Sequence, residues 1–212
     1  MGLSAIKWFR WKAAFAYHVM NTVSHGNRVE IDMMLGGRNP FPEIEAIDGA
    51  PYNPEEAAPF LIRLSIDLDA EDGNIQTKQL APMPGEMPLT AAVDQMRPYR
   101  IGYYAGIDPS KPLEMTGPVG PGFNHLCRVD LATGEFKAWY AGDGNSLQEP
   151  VHIASKQEGH EGYLLLMIDR HSAGHSSAVI FEAATPERGP VCEIRLPYKL
   201  RQGIHGTWVP AA

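Results

Sequence analysis

Apolar and polar residues alternate with a period of two over much of the chain, most clearly in Leu61-Ile-Arg-Leu-Ser-Ile-Asp-Leu68. That period places successive side chains on opposite faces of an extended strand. The pattern predicts strands in pairs. Residues 15–23 and 28–34 flank Ser24-His-Gly-Asn27, which reads as a hairpin turn. Residues 61–68 and 75–80 flank Asp72-Gly-Asn74, the strongest short-range hairpin signal in the sequence. Residues 124–131 and 136–140 flank Ala132-Thr-Gly-Glu135. A fourth pair, 162–169 and 177–182, is followed by a further strand at 191–196. Helix signals are few. Pro54-Glu-Glu-Ala-Ala58 predicts a single turn, with Asn53 as N-cap and Pro54 at the first helical position.

The 21 glycines and 18 prolines fall mainly between the strand candidates. Short strands joined by tight loops predict an all-β fold, and the length suits a single domain over residues 1–212. The stretch 36–59 is an acidic, proline-rich excursion from that domain. A sandwich, a barrel and propeller blades all satisfy repeated hairpins, and periodicity alone does not choose among them.

Charge and composition narrow the function. A net charge of -7, without a cluster of Lys and Arg, argues against nucleic acid as a partner. The longest apolar run, Tyr163-Leu-Leu-Leu-Met-Ile168, is strand-sized and too short to cross a bilayer. The N-terminus mixes Lys7, Arg10 and Lys12 with Trp8, Phe9 and Trp11 and lacks the apolar core of a signal peptide. Two cysteines, Cys127 and Cys192, build no disulfide framework, so a cytoplasmic location is the expectation.

Individual histidines invite several readings. His171 and His175 have the spacing of a helical metal pair, but Gly174 and the flanking strands place them in a surface loop. His160-Glu161 lacks the second histidine of a zinc-protease motif, and Ser176 and Ser177 lack a nucleophile-elbow context. Asp67, Asp69, Glu71 and Asp72 read as a charged hairpin tip, since an EF-hand needs flanking helices. Tyr103, Tyr104, Trp139 and Tyr140 read as core. By themselves, His18 and His205 read as packed or solvated histidines.

Four motifs in order change that reading. Tyr17-His18-Val-Met-Asn21, Gly85-Glu86-Met-Pro88 with Val93-Asp94, Gln148-Glu149-Pro150-Val-His-Ile153, and Gly203-Ile-His205-Gly-Thr-Trp208 run the length of the chain. Together they resemble the later motifs of the carotenoid cleavage oxygenases, and the His-Gly-Thr-Trp ending leans towards the lignostilbene dioxygenases. The resemblance implies a seven-bladed β-propeller with Fe(2+) on its axis, held by four histidines from different blades. His18 and His205 would be the third and fourth ligands, with Glu86 orienting His18 and Glu149 orienting His205. Neutral imidazoles suit this metal, and a carboxylate on the far ring nitrogen fixes the tautomer and raises ligand basicity. The implied reaction is O2-dependent cleavage of a C=C bond in an apolar conjugated substrate, giving two carbonyl products.

Two further ligand histidines and another glutamate of the family pattern have no counterpart here, so the chain resembles the C-terminal half of such an enzyme, with about half the blades. The expectation is therefore a chain inactive alone, completed by an N-terminal half or an oligomer. The alternative is a non-catalytic propeller fragment serving as an interaction or assembly module. An unrelated all-β ligand-binding domain would leave His18 and His205 far apart. A lipophilic substrate adds membrane-surface contact to the expectations, although no amphipathic anchor is visible in the sequence.

Overall fold

The computed structural model describes residues 6–70, 74–116 and 120–209. Three antiparallel sheets follow one another along the chain. The first is a four-stranded meander of β1 (Phe15–His25), β2 (Arg28–Gly36), β3 (Phe60–Asp67) and β4 (Ile75–Gln79). The second contains β5 (Gly85–Leu89), β6 (Ile101–Gly106), β7 (His125–Asp130) and β8 (Phe136–Tyr140). The third opens with a strand split into β9 (Asn145–Leu147) and β10 (Val151–Ile153). It continues with β11 (Tyr163–Arg170), β12 (His175–Glu182) and β13 (Cys192–Arg195). Both halves of the split strand pair with β11, and Pro150, which has no N–H to give the ladder, lies in the gap. Sheets of four strands in sequential order have the connectivity of propeller blades.

The hairpins form where the pattern places them. Gly26 and Asn27 make the two-residue turn between His25 and Arg28, and Gly26 supplies a φ of 59° that a side chain would resist. The Asp72-Gly-Asn74 signal lies largely outside the described residues, as do Glu71 and Asp72 of the acidic tip. The strands on either side of it do pair, with Ile66 opposite Ile75. In the excursion, α1 (Pro54–Ala57) is capped by Asn53, whose side chain accepts from the backbone N–H of Glu55 at 3.0 Å.

The second blade is buried on both faces, which explains why β6 and β7 show no alternation. Neighbouring residues of β6 face opposite ways. Tyr103 packs with Leu126, Leu164, Ile168 and Phe181 towards the third blade, while Tyr104 packs with Met34, Leu61 and Cys127 towards the first. Cys127 is buried and Cys192 exposed, and both are free thiols. Among the described residues no helix is long and apolar enough to cross a membrane.

Candidate metal centre

The first strand of each blade is an edge strand, and three of the four predicted site residues lie on or beside these strands. His18 is on β1, Glu86 is on β5, and Glu149 lies between β9 and β10. His205 comes from the irregular segment after β13. All four converge.

Glu86 reaches from the second blade to the first. Its Oε2 accepts from His18 Nδ1 at 2.6 Å, and its Oε1 accepts the backbone N–H of His18 at 2.9 Å. The backbone N–H of Met87 donates to Oε2 as well. Met87 holds a φ of 58°, uncommon for a side-chain-bearing residue, at a register shift between Glu86 and Leu89. This bulge turns the Glu86 carboxylate towards the neighbouring blade, and Pro88 is accommodated in the same irregularity.

Glu149 treats His205 in a parallel way. Its Oε1 lies 3.2 Å from His205 Nδ1, and its Oε2 accepts the backbone N–H of Gly206 at 2.6 Å. An ionised carboxylate only accepts, so it holds the proton on each Nδ1, and in a neutral imidazole Nε2 is then the atom that carries the lone pair. The glutamates are more enclosed than their histidines: Glu86 and Glu149 side chains are 8% and 23% exposed, against 46% for His18 and 54% for His205.

The two imidazoles meet. Their ring centroids are 4.9 Å apart, with planes at 81°. Metal–imidazole bonds of about 2.1 Å would set the centroids of two adjacent ligands on the order of 4.5 Å apart. The donor chemistry and the spacing therefore fit two neighbouring positions of one metal ion. Among the described residues there is no group of three or more His, Cys, Asp or Glu able to hold a metal.

Other residues at the centre carry fainter signals in the sequence. Tyr17, beside His18, is half-buried and has its phenol pKa pushed up, first by burial and then by the charge of Glu86 and by Tyr52. Phe15 packs edge-on against Tyr17 and Phe41, at 4.8 and 6.0 Å between centroids, so an aromatic side chain of the excursion packs against the start of β1. Nothing in the local composition of 36–59 points there. Several of the remaining histidines have other partners. His171 Nε2 pairs with Ser146 Oγ at 2.7 Å, and His160 Nε2 with Glu182 at 2.9 Å. His125 is buried and stacks on Tyr140, and burial lowers its pKa.

Comparison with known proteins agrees over nearly the whole chain. A family model described as "Retinal pigment epithelial membrane protein" (RPE65) matches residues 2–210. The chain is 32% identical over 214 residues to lignostilbene-α,β-dioxygenase isozyme III of Sphingomonas paucimobilis, covering 98% of this chain and 44% of that protein. It is 33% identical over 210 residues to an isoeugenol monooxygenase of Pseudomonas nitroreducens, again covering 98% and 44%. The crystal structure of Pseudomonas brassicacearum lignostilbene dioxygenase superposes with a TM-score of 0.87 at 29% identity, covering 97% of this chain and 44% of that one. The chain thus spans less than half the length of these relatives.

Proposed function

The chain belongs to the RPE65/carotenoid oxygenase family, and on that premise we propose that it forms part of a non-haem iron(II) dioxygenase acting on an apolar conjugated substrate, either stilbene-like or apocarotenoid. The observation that carries this reading is the convergence of His18 and His205, whose ring centroids lie 4.9 Å apart and which are each held by a glutamate at Nδ1. When bound, iron would supply coordination positions for dioxygen, and the overall reaction splits one C=C bond into two carbonyl groups.

The chain's own contribution is binding and orientation. Glu86 and Glu149 hold both imidazoles in the Nδ1–H tautomer and resist their rotation. The aromatic edge formed by Phe15, Tyr17 and Phe41 suits a flat apolar substrate. Two imidazoles are half of a four-histidine site. The reading therefore assigns the other two ligands, and full turnover, to polypeptide beyond these 212 residues or to a second chain. Wild-type-like turnover by the 212-residue chain alone would refute that division.

Anaerobic titration with Fe(II) tests the ligand assignment. His205→Ala should abolish binding, whereas Glu149→Gln should weaken it by roughly 10–100-fold, the usual cost of losing a group that orients a ligand. Iron retained by His205→Ala would refute the assignment. A wild-type chain indifferent to iron and to its chelation would favour the reading of the chain as a non-catalytic assembly module.

A further inference from the structure

The segment that carries His205 has no regular secondary structure, and most of residues 201–209 are exposed. A metal ligand on such a segment needs tethers, and three side-chain acceptors supply them. Ser176 Oγ accepts from Leu200 N–H at 2.9 Å, Gln148 Oε1 from Gly203 N–H at 3.1 Å, and Glu149 Oε2 from Gly206 N–H at 2.6 Å. Glu149 belongs to the centre already described. The other two acceptors converge on one buried group. Ser176 Oγ donates to Asp169 Oδ1 at 2.6 Å, and Gln148 Nε2 donates to Asp169 Oδ2 at 3.1 Å. Asp169, Ser176 and Gln148 are all buried, at 2%, 0% and 8% exposure.

We propose that Asp169, through Gln148 and Ser176, is a positioning residue for His205; this rests on the reading of His205 as a metal ligand. A carboxylate accepts and never donates when ionised, so it dictates the polarity of both neighbours. The Gln148 amide must turn its NH2 to Asp169, which leaves its carbonyl facing Gly203. The Ser176 proton must point at Asp169, which leaves a lone pair for Leu200. Tethers at residues 200 and 203 then fix the approach of the segment to His205, two residues further on. Fixing the backbone ahead of the ligand lowers the ordering cost that metal binding would otherwise meet.

Polarity can be tested without changing shape. In Asp169→Asn the new NH2 either confronts the Gln148 NH2 or turns to Ser176, whose Oγ then accepts from it and leaves its own proton without the Asp169 acceptor. Turning the Gln148 amide to relieve the conflict would face its NH2 against Gly203 N–H. In Gln148→Glu two carboxylates face each other at hydrogen-bonding distance. The double substitution Asp169→Asn with Gln148→Glu restores every donor–acceptor pair. The carboxylate introduced at position 148 accepts from Gly203 N–H and from the amide NH2 introduced at position 169. The amide oxygen at position 169 still accepts from Ser176.

The readouts are amide hydrogen exchange at Leu200 and Gly203 and titration of the 212-residue chain with cobalt(II). Each single substitution should speed exchange at these two amides by roughly tenfold and weaken cobalt binding by roughly tenfold, the lower end of the effect of removing an orienting partner. Amides of β11 and β12 should be unaffected. The double substitution should return both readouts to within about twofold of wild type. Unchanged exchange or cobalt affinity in Asp169→Asn, or failure of the double substitution to rescue, would overturn the proposal. A wild-type chain that binds no cobalt would overturn the metal reading instead, and amide exchange would still decide the tether.

Discussion

Glu86 concentrates more of the centre's organisation than any other single residue. One buried carboxylate accepts three N–H groups, from the His18 ring, the His18 backbone and the Met87 backbone. It thereby ties the first blade to the second at His18. Glu86→Gln keeps the shape but replaces one acceptor oxygen with a donor, so at least one N–H is left facing an NH2. The expected cost is about 1–3 kcal/mol of stability, the penalty for stranding a buried donor. Metal affinity should fall in parallel, since the His18 tautomer is no longer imposed. Urea unfolding and cobalt(II) titration of the same variant would check both. A variant with wild-type stability and affinity would show that Glu86 is not the group that fixes His18.

At the scale of strands, Gly85 and Gly102 separate two kinds of close packing. A Cβ on Gly85 would lie 2.3 Å from Ala105 O and 2.9 Å from Gly106 Cα, both backbone atoms of the paired strand β6. A Cβ on Gly102 would meet Met20 Sδ at 2.5 Å and Cε at 2.8 Å, the flexible end of a side chain that can move. Gly85→Ala should therefore cost about 2–3 kcal/mol and Gly102→Ala about 1 kcal/mol or less, as measured by urea midpoints. Equal losses would mean that the strand ladder yields as easily as methionine. These glycines also explain which strands the sequence concealed. Apolar patterning and turn signals expose β1 to β4, β7, β8 and β11 to β13. β6 is hidden because Gly102 and Gly106 read as punctuation and both its faces are buried. β5 is hidden by Pro88 and the bulge at Met87, and the β9–β10 strand by Pro150. Each hidden first strand bears or borders a site glutamate. The irregularities that conceal these strands from a periodicity argument are also the ones that aim the carboxylates.

Across the molecule, the centre joins parts of the chain that the core does not. The first and third blades each pack against the second through separate apolar clusters, and their edges come together at His18 and His205. No residue pattern within either segment announces that meeting. Periodicity is local, and bringing residues 18 and 205 together depends on the summed angles between three blades. The four motifs in order made the convergence legible through resemblance. The tethers of Asp169, Gln148 and Ser176 were not legible, because an acid at the end of an apolar strand reads as a solvated terminus. Asp169 instead lies buried opposite Ser176 in the β11–β12 ladder. A metal shared by His18 and His205 would close the arc and bind only the folded arrangement. Cobalt(II) at about 100 times its dissociation constant should then add about 2.7 kcal/mol to stability, or on the order of 5–10 °C in Tm for a chain of this size. The shift should grow with the logarithm of cobalt concentration in the wild type and vanish in His205→Ala. Equal stabilisation of the variant would place the ion elsewhere, on histidines that do not span the blades.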